Sequence, residues 1–343
     1  MAARLEIPED AKILVVDLAF IGDILMSTPA LANLRRGFPK ARIEILVAPQ
    51  SRPVIERNPS IDRVITSTSK EGGGAELSRE AAVLAGERYD LGISFHRGHG
   101  SLMMLRKAGI PRRIGFTNGG RFVFLTGGIP FEIQRHRAWN HLRLIERCLS
   151  IDVDYNTPTH MVLDPTAVAS IDERLKQADG ARLVGINPNA AWPTRRWLPE
   201  GFAYVADRLS ELGRIPVLMG SPKERGVCNR VKACMKTRPL DFTGETTIDE
   251  LAALLARCEV LVTNDSGPMH IAHAVGTPTL PIFGPTDPQR SGPWLGKIEP
   301  LQAGLDCVKC YRKRCWHLNC MKYLSSEEVA KATQACIRLG TNT

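Results

Sequence analysis

The stretch Lys12-Ile13-Leu14-Val15-Val16-Asp17, followed by Ile21-Gly22-Asp23 and then by Ile43-Glu44-Ile45-Leu46-Val47, decides the fold. The first run is aliphatic and β-branched, which suits a buried strand. The glycine-containing turn after it opens an amphipathic pattern that continues through Arg36, and the third run is strand-like again. This is a β-α-β unit, and its crossover makes the two strands parallel. The rhythm goes on with a helix around 75–87, a strand at Leu91–Phe95 and a helix around Trp139–Leu149.

Residues 151–180 interrupt it. Asp152, Asp154, Asn156, Pro158, Asp164 and Pro165 make a polar, proline-bearing stretch that reads as a linker. Alternation then restarts, with strand-like runs at Leu183–Asn187, Ile215–Met219, Val260–Thr263 and Thr279–Phe283. Helical patterns near 200–212, 222–235, 247–257 and 268–275 separate them. The expectation is an α/β chain of two doubly wound, Rossmann-like domains facing each other across a cleft.

The chain has 343 residues, 43% hydrophobic and 24% charged, enough apolar material for two cores and too much for disorder. No apolar run approaches the roughly 20 residues that span a bilayer. The opening Met1-Ala2-Ala3-Arg4-Leu5-Glu6 lacks the pattern of a secretory leader, so a cytoplasmic protein is expected. Nine cysteines are then thiols, metal ligands or small core residues rather than disulfides. Cys148, Cys228, Cys234, Cys258 and Cys336 are scattered through helix- and strand-like stretches and read as core.

The net charge is +9. Residues 1–150 hold 22 basic and 15 acidic residues, a net of +7, against 23 and 21, a net of +2, in residues 151–343. Residues 91–131 contain Arg97, Arg106, Lys107, Arg112, Arg113 and Arg121 and no acid. An anionic partner of the first half is expected. Nucleic acid is not, because no zinc finger, helix-turn-helix or basic strand interleaved with aromatics accompanies the charge.

Ligands of doubly wound sheets bind beyond the carboxyl ends of the strands. Three stretches lie there. At Gly22-Asp23, Asp23 either caps the helix or offers a carboxylate to a ligand. Asn187-Pro188-Asn189-Ala190-Ala191-Trp192-Pro193-Thr194-Arg195-Arg196-Trp197 carries two arginines suited to a diphosphate. Thr263-Asn264-Asp265-Ser266-Gly267-Pro268-Met269-His270 begins a helix whose N–H groups favour an anion, with Gly284-Pro285-Thr286-Asp287-Pro288 after the next strand. No G-x-x-x-x-G-K-[ST], G-x-G-x-x-G after a strand, or H-E-x-x-H occurs.

A fourth feature, Cys307, Cys310, Cys315 and Cys320 at C-x2-C-x4-C-x4-C spacing, can converge on one tetrahedral ion. The reading is a structural Zn or Fe site, against free thiols, with His317 as a substitute ligand. Such an ion would brace a loop set apart from the three ligand-facing stretches.

At these residues the sequence resembles glycosyltransferase family 9, the ADP-heptose:lipopolysaccharide heptosyltransferases, with its closest likeness to the heptosyltransferase II type. The resemblance rests on Ile21-Gly22-Asp23-Ile24-Leu25 with Thr28-Pro29-Ala30-Leu31 and Phe38-Pro39, on Arg195-Arg196-Trp197-Leu198-Pro199, and on residues 263–272 with 283–288. It implies a GT-B fold and inverting transfer of heptose from ADP-heptose with no catalytic metal. The acceptor it implies is the inner core of a lipid A–core lipopolysaccharide intermediate, met peripherally at the cytoplasmic face of the inner membrane. Asp23 matches the family's proposed general base. Arg195 stands where many members have a phosphate-contacting lysine, and Arg196, Asp265, Ser266, Gly267 and His270 complete the donor site. Arg97, Arg112 and Arg113 are expected to bind the acceptor. The implied boundaries are 1–165 for the acceptor domain, 166–325 for the nucleotide-sugar domain with its cysteine loop 307–320, and 326–343 for a C-terminal helix and tail. A protein or other glycan acceptor, or a non-catalytic nucleotide-sugar-binding protein, are the alternative readings.

Overall fold

The computed structural model describes residues 4–68, 74–178 and 180–340. The chain divides into two compact units, Met1–Val162 and Leu163–Thr343. The first contains β1 (Lys12–Asp17), β2 (Arg42–Val47), β3 (Arg63–Thr66), β4 (Leu91–Ser94), β5 (Arg112–Phe116) and β6 (Gly127–Ile129), all parallel, in the order β3-β2-β1-β4-β5-β6. The second contains β7 (Arg182–Asn187), β8 (Arg214–Leu218), β9 (Leu240–Asp241), β10 (Cys258–Asn264), β11 (Thr279–Phe283) and β12 (Leu301–Gln302), also parallel, in the order β12-β11-β10-β7-β8-β9. Counted from its own first strand, each sheet runs 3-2-1-4-5-6. The chain reverses direction between β1 and β4 in one unit and between β7 and β10 in the other. The crevices at those two places are the ligand sites that the topology itself creates.

The central strands are the ones the sequence reveals, because helices cover both faces and nearly every residue is buried. The edge strands β3, β6, β9 and β12 are short and mostly half-exposed, and they carry no apolar run to read. The single helix expected after β1 is two, Ile21–Leu25 and Thr28–Gly37. At the break Ser27 Oγ donates to the Ile24 carbonyl and Thr28 Oγ1 to that of Leu25, both at 2.7 Å, and Pro29 opens the second helix.

Residues 151–180 are not simply a linker. Asp164 accepts hydrogen bonds from the Thr166 and Ala167 N–H groups, and Pro165 is the first residue of helix Pro165–Arg174. Residues that looked like linker punctuation are an N-cap and its following proline. Helix Ser326–Gly340 is likewise no appendage: Val329, Ala330, Cys336 and Ile337 are buried with Phe202 in the core of the second unit. Residues 341–343 of the expected tail lie outside the described residues. Of the five scattered cysteines, Cys148, Cys228, Cys258 and Cys336 are buried, whereas Cys234 is exposed on the last turn of its helix. Among the described residues no helix is long and apolar enough to cross a membrane.

One core residue is out of character. Asp17, the last residue of β1, is 1% exposed, and among the described residues no side chain hydrogen-bonds its carboxyl. Burial pushes its carboxyl up to about 7, against the pull of Arg137 and with a smaller push from Asp23. Folded, Asp17 keeps its proton up to about pH 7; unfolded, it releases it near 3.8. Between those values the folded chain binds more protons, so stability falls as pH rises, by at most about 1.4 kcal/mol per pH unit. Asp17→Asn is expected to be more stable than the parent at pH 8, with the difference closing below about pH 4. Urea unfolding at the two pH values checks this, and an equal offset at both would show that the burial carries no such cost.

Candidate functional site

In the first unit, the turn after β1 enters helix Ile21–Leu25 with Asp23 as its third residue. The residue before that helix, Phe20, makes no side-chain cap, and Asp23 does not act as one. A five-residue helix has little dipole to stabilise a carboxylate. The counter-charge comes from Arg137, whose Nε lies 2.9 Å from Asp23 Oδ1, both side chains about one-quarter exposed. Arg137 is the first residue of helix Arg137–Cys148, whose N-cap, His136, accepts the Ala138 N–H at its Nδ1 (3.1 Å). One turn on, His141 is wholly buried and stacked on Phe95 with ring centroids 4.5 Å apart. Burial, then the Arg137 charge, hold it well below the usual histidine range, so it is neutral. Asp17, Asp23, Arg137 and His141 thus gather at the end of β1 with one cation between two carboxyl groups.

The three arginines expected at an acceptor are not gathered there. Arg97 follows β4 at the same switch point, its guanidinium 4.3 Å over the Phe131 ring. Arg112 and Arg113 are instead the first two residues of β5, in register with Leu91 and Gly92 and so level with Ile13 and Leu14 at the beginning of β1. Asp17 lies three to four residues further along, roughly 10–13 Å. Arg113 is also committed to the backbone, donating from Nε to the Phe124 carbonyl (2.8 Å) and from Nη1 to that of Ile110. Charge in sequence does not say which end of a strand it occupies.

In the second unit, three buried amides join the loop after β7 to those after β10 and β8. Asn187 Nδ2 donates to Thr263 Oγ1 (2.8 Å) and Ser266 Oγ (2.9 Å). Asn189 Nδ2 donates to the Met219 carbonyl (3.0 Å), and Asn264 Nδ2 to that of Pro188 (2.8 Å). Asn264 Oδ1 accepts the Trp197 N–H (3.0 Å). These asparagines are in the quoted stretches, but nothing in their spacing marks them as the frame. The two tryptophans have different tasks. Trp197 is core, 2% exposed, edge-on to Phe202 and lying over Gly201, where a Cβ would fall 2.6 Å from its ring. Trp192 stays half-buried in the loop, with the Arg195 guanidinium 3.9 Å from its ring centroid.

On this frame Arg195 Nη1 lies 3.2 Å from Asp265 Oδ2, which also accepts Thr286 Oγ1 (2.6 Å) from the loop after β11. Arg195 Nε is buried with no acceptor. Arg196 uses its own Nε on the Ala190 carbonyl (2.9 Å), shaping the loop. Ser266 is the N-cap residue of helix Gly267–Ala274 without capping it by its side chain; its hydroxyl turns inward to Asn187 and Asn264. The space a Cβ would take at Gly267 is open, and His270 is buried on the same helix.

The cysteine loop departs from expectation. It does not lie apart from the ligand-facing loops but is fastened to two of them. The Tyr311 N–H donates to the Pro285 carbonyl (2.8 Å), and Thr194 Oγ1 donates to the Arg312 carbonyl (2.8 Å). Lys309 Nζ lies 3.2 Å from Asp287 Oδ1. Cys320 is buried beneath Gly284, Cys315 half-buried, and Cys307 and Cys310 exposed. Among the described residues no three His, Cys, Asp or Glu side chains converge as a metal shell, so these thiols as placed do not form one.

The comparisons with known proteins follow the same lines. The profile of glycosyltransferase family 9 (heptosyltransferase) matches residues 79–321. Lipopolysaccharide heptosyltransferase 2 of Escherichia coli K12 is 26% identical over 310 residues, covering 85% of this chain and 88% of that protein. Among solved structures, a family 9 glycosyltransferase from Veillonella parvula superposes with TM-score 0.87 at 26% identity, covering 98% and 99% of the two chains. The E. coli ADP-heptose lps heptosyltransferase II gives 0.81 at 23% identity, covering 96% and 99%. With two parallel sheets of Rossmann order and a family match over most of its length, the chain belongs to glycosyltransferase family 9 and has the GT-B fold.

Proposed function

We propose that the protein transfers heptose from ADP-heptose to a hydroxyl of the lipopolysaccharide inner core, with the donor held by the second unit and the acceptor by the first. The observation that carries this reading is a complementary pair of unfinished groups. Among the described residues, Asp23 at one switch point is a carboxylate with a single ionic partner, and Arg195 at the other is a guanidinium with a buried Nε–H lacking an acceptor. A buried donor left unpaired costs about 1–3 kcal/mol, which a phosphate oxygen would recover.

The chemistry is one displacement. Asp23 takes the acceptor hydroxyl's proton as that oxygen bonds to the anomeric carbon, and the bond from that carbon to the ADP oxygen breaks with inversion. Arg195, poised by Asp265, and the N–H groups opening helix Gly267–Ala274 stabilise the charge gathering on the leaving diphosphate. Arg137 holds Asp23 by Oδ1 and leaves Oδ2 for the acceptor. His141, neutral and buried beneath, adds no second positive charge.

The spacing of Cys307, Cys310, Cys315 and Cys320 supports a structural Zn or Fe ion, which would require the loop to draw its outer thiols onto Cys320. For association with the inner-membrane surface the support is the acid-free stretch 91–131 and the exposed Phe122 and Val123 beside Arg106 and Arg121. A peripheral mode suits this patch: anionic lipid attracts the arginines and the apolar tips enter the interface.

Asp23→Asn should lower kcat by about 100- to 10,000-fold with ADP affinity within twofold, read with ADP-heptose and truncated lipid A–core acceptors by mass. Arg137→Met should lose about tenfold or more in kcat with the same intact ADP affinity, partly restored in Arg137→Lys. A kcat for Asp23→Asn within about tenfold of the parent would remove the base. Elemental analysis should find about one Zn or Fe per chain, lost in Cys320→Ser. Cosedimentation with vesicles should require anionic lipid and fall several-fold in the Phe122→Ser/Val123→Ser double variant.

A further inference from the structure

The loop that carries the four cysteines brings its own cations to the second unit's site. Its path is set at two successive residues. Tyr311 is held by its N–H to the Pro285 carbonyl (2.8 Å), by the Asp287 N–H reaching its hydroxyl (3.3 Å), and by the Arg290 guanidinium 4.8 Å over its ring. Arg312 is held through its carbonyl by Thr194 Oγ1 (2.8 Å). The loop is tightly bent: Lys309, Tyr311 and Leu318 all have positive φ, at 61°, 55° and 53°, in the region non-glycine residues seldom enter. The next side chain after these anchors, Lys313, reaches Trp192, its ammonium 5.1 Å from the ring centroid.

Trp192 therefore carries two cations, Arg195 at 3.9 Å and Lys313 at 5.1 Å. The indole quadrupole attracts each, but the cations repel one another. Arg195 has Asp265 as its counter-ion; among the described residues no carboxylate pairs with Lys313. The result is one positive charge with no carboxylate partner among the described residues, sharing the Trp192 ring with a guanidinium whose Nε is buried and unpaired, so that an anion with two or more oxygens has a partner in each.

We infer that Lys313 is a donor-binding residue, a second phosphate-contacting cation that the cysteine loop delivers over Trp192 beside Arg195. This rests on the assignment of the second unit as the donor site and extends it to a segment outside the strand-end loops. The loop then belongs to the donor site through residues 311–313.

The test is calorimetric binding of ADP, AMP and adenosine to the full-length parent, Lys313→Met and Lys313→Arg, with melting temperatures as a check on folding. Lys313→Met should weaken ADP about tenfold, the equivalent of one charge-assisted hydrogen bond, and AMP less, while leaving adenosine unchanged. Lys313→Arg should recover most of the loss, and the salt dependence of ADP binding should be shallower in the methionine variant. Equal losses for ADP and adenosine, or unchanged ADP affinity in Lys313→Met, overturn the inference. Failure of the parent itself to bind ADP would overturn the donor-site assignment instead.

Discussion

Three buried amides carry the candidate donor site. Asn187 and Asn264 sit where β7 and β10 end side by side and tie the two following loops together, and Asn189 ties the β7 loop to the end of β8. Most of their bonds tie one loop to another or to a neighbouring strand end. Such a network stabilises only when it is completely satisfied, since a buried amide left unpaired costs more than an apolar side chain would. It leaves Arg195, Asp265 and Ser266 on a rigid floor, so the orientation of the guanidinium is settled before any ligand arrives.

The first unit solves a different problem at its equivalent position. A buried carboxyl, Asp17, a half-exposed carboxylate, Asp23, and one cation, Arg137, share the end of β1. Two neighbouring carboxyl groups resist simultaneous ionisation, and the cation is placed on the outer one. Burial does most to keep the proton on Asp17, with Asp23 adding a smaller push, and Arg137 orients Asp23 through one of its oxygens.

Across both units, the residues expected at ligand sites lie at a switch point where their motif follows a central strand. The runs ending at Asp17, Asn187 and Asn264 are buried on both faces, so their composition betrays them, and the loops that follow inherit that clarity. Arg112 and Arg113 show the converse. Their charge is plain, but they begin an unmarked strand, and parallel pairing carries them to the opposite end of the sheet. Asp164 and Pro165 show it again, since a cap and its proline have the same composition as a linker. The cysteine loop was legible as a feature yet misplaced, because its distance in sequence from residues 192–195 and 284–287 says nothing of its contacts with them.

By itself the sequence determined the repeated α/β architecture and the strand-end stretches, because burial of a two-sided sheet leaves its mark residue by residue along the chain, and the motifs in those stretches carried the family resemblance. The tertiary structure alone decided which charges meet. Arg137 with Asp23, Arg195 with Asp265, and Lys313 with Trp192 are separated by 114, 70 and 121 positions, and only the strand order brings them together. The physical reason is range: hydrophobic periodicity is written locally, whereas ion pairs and cation–ring contacts act over a few ångströms of space and leave no local pattern in the chain.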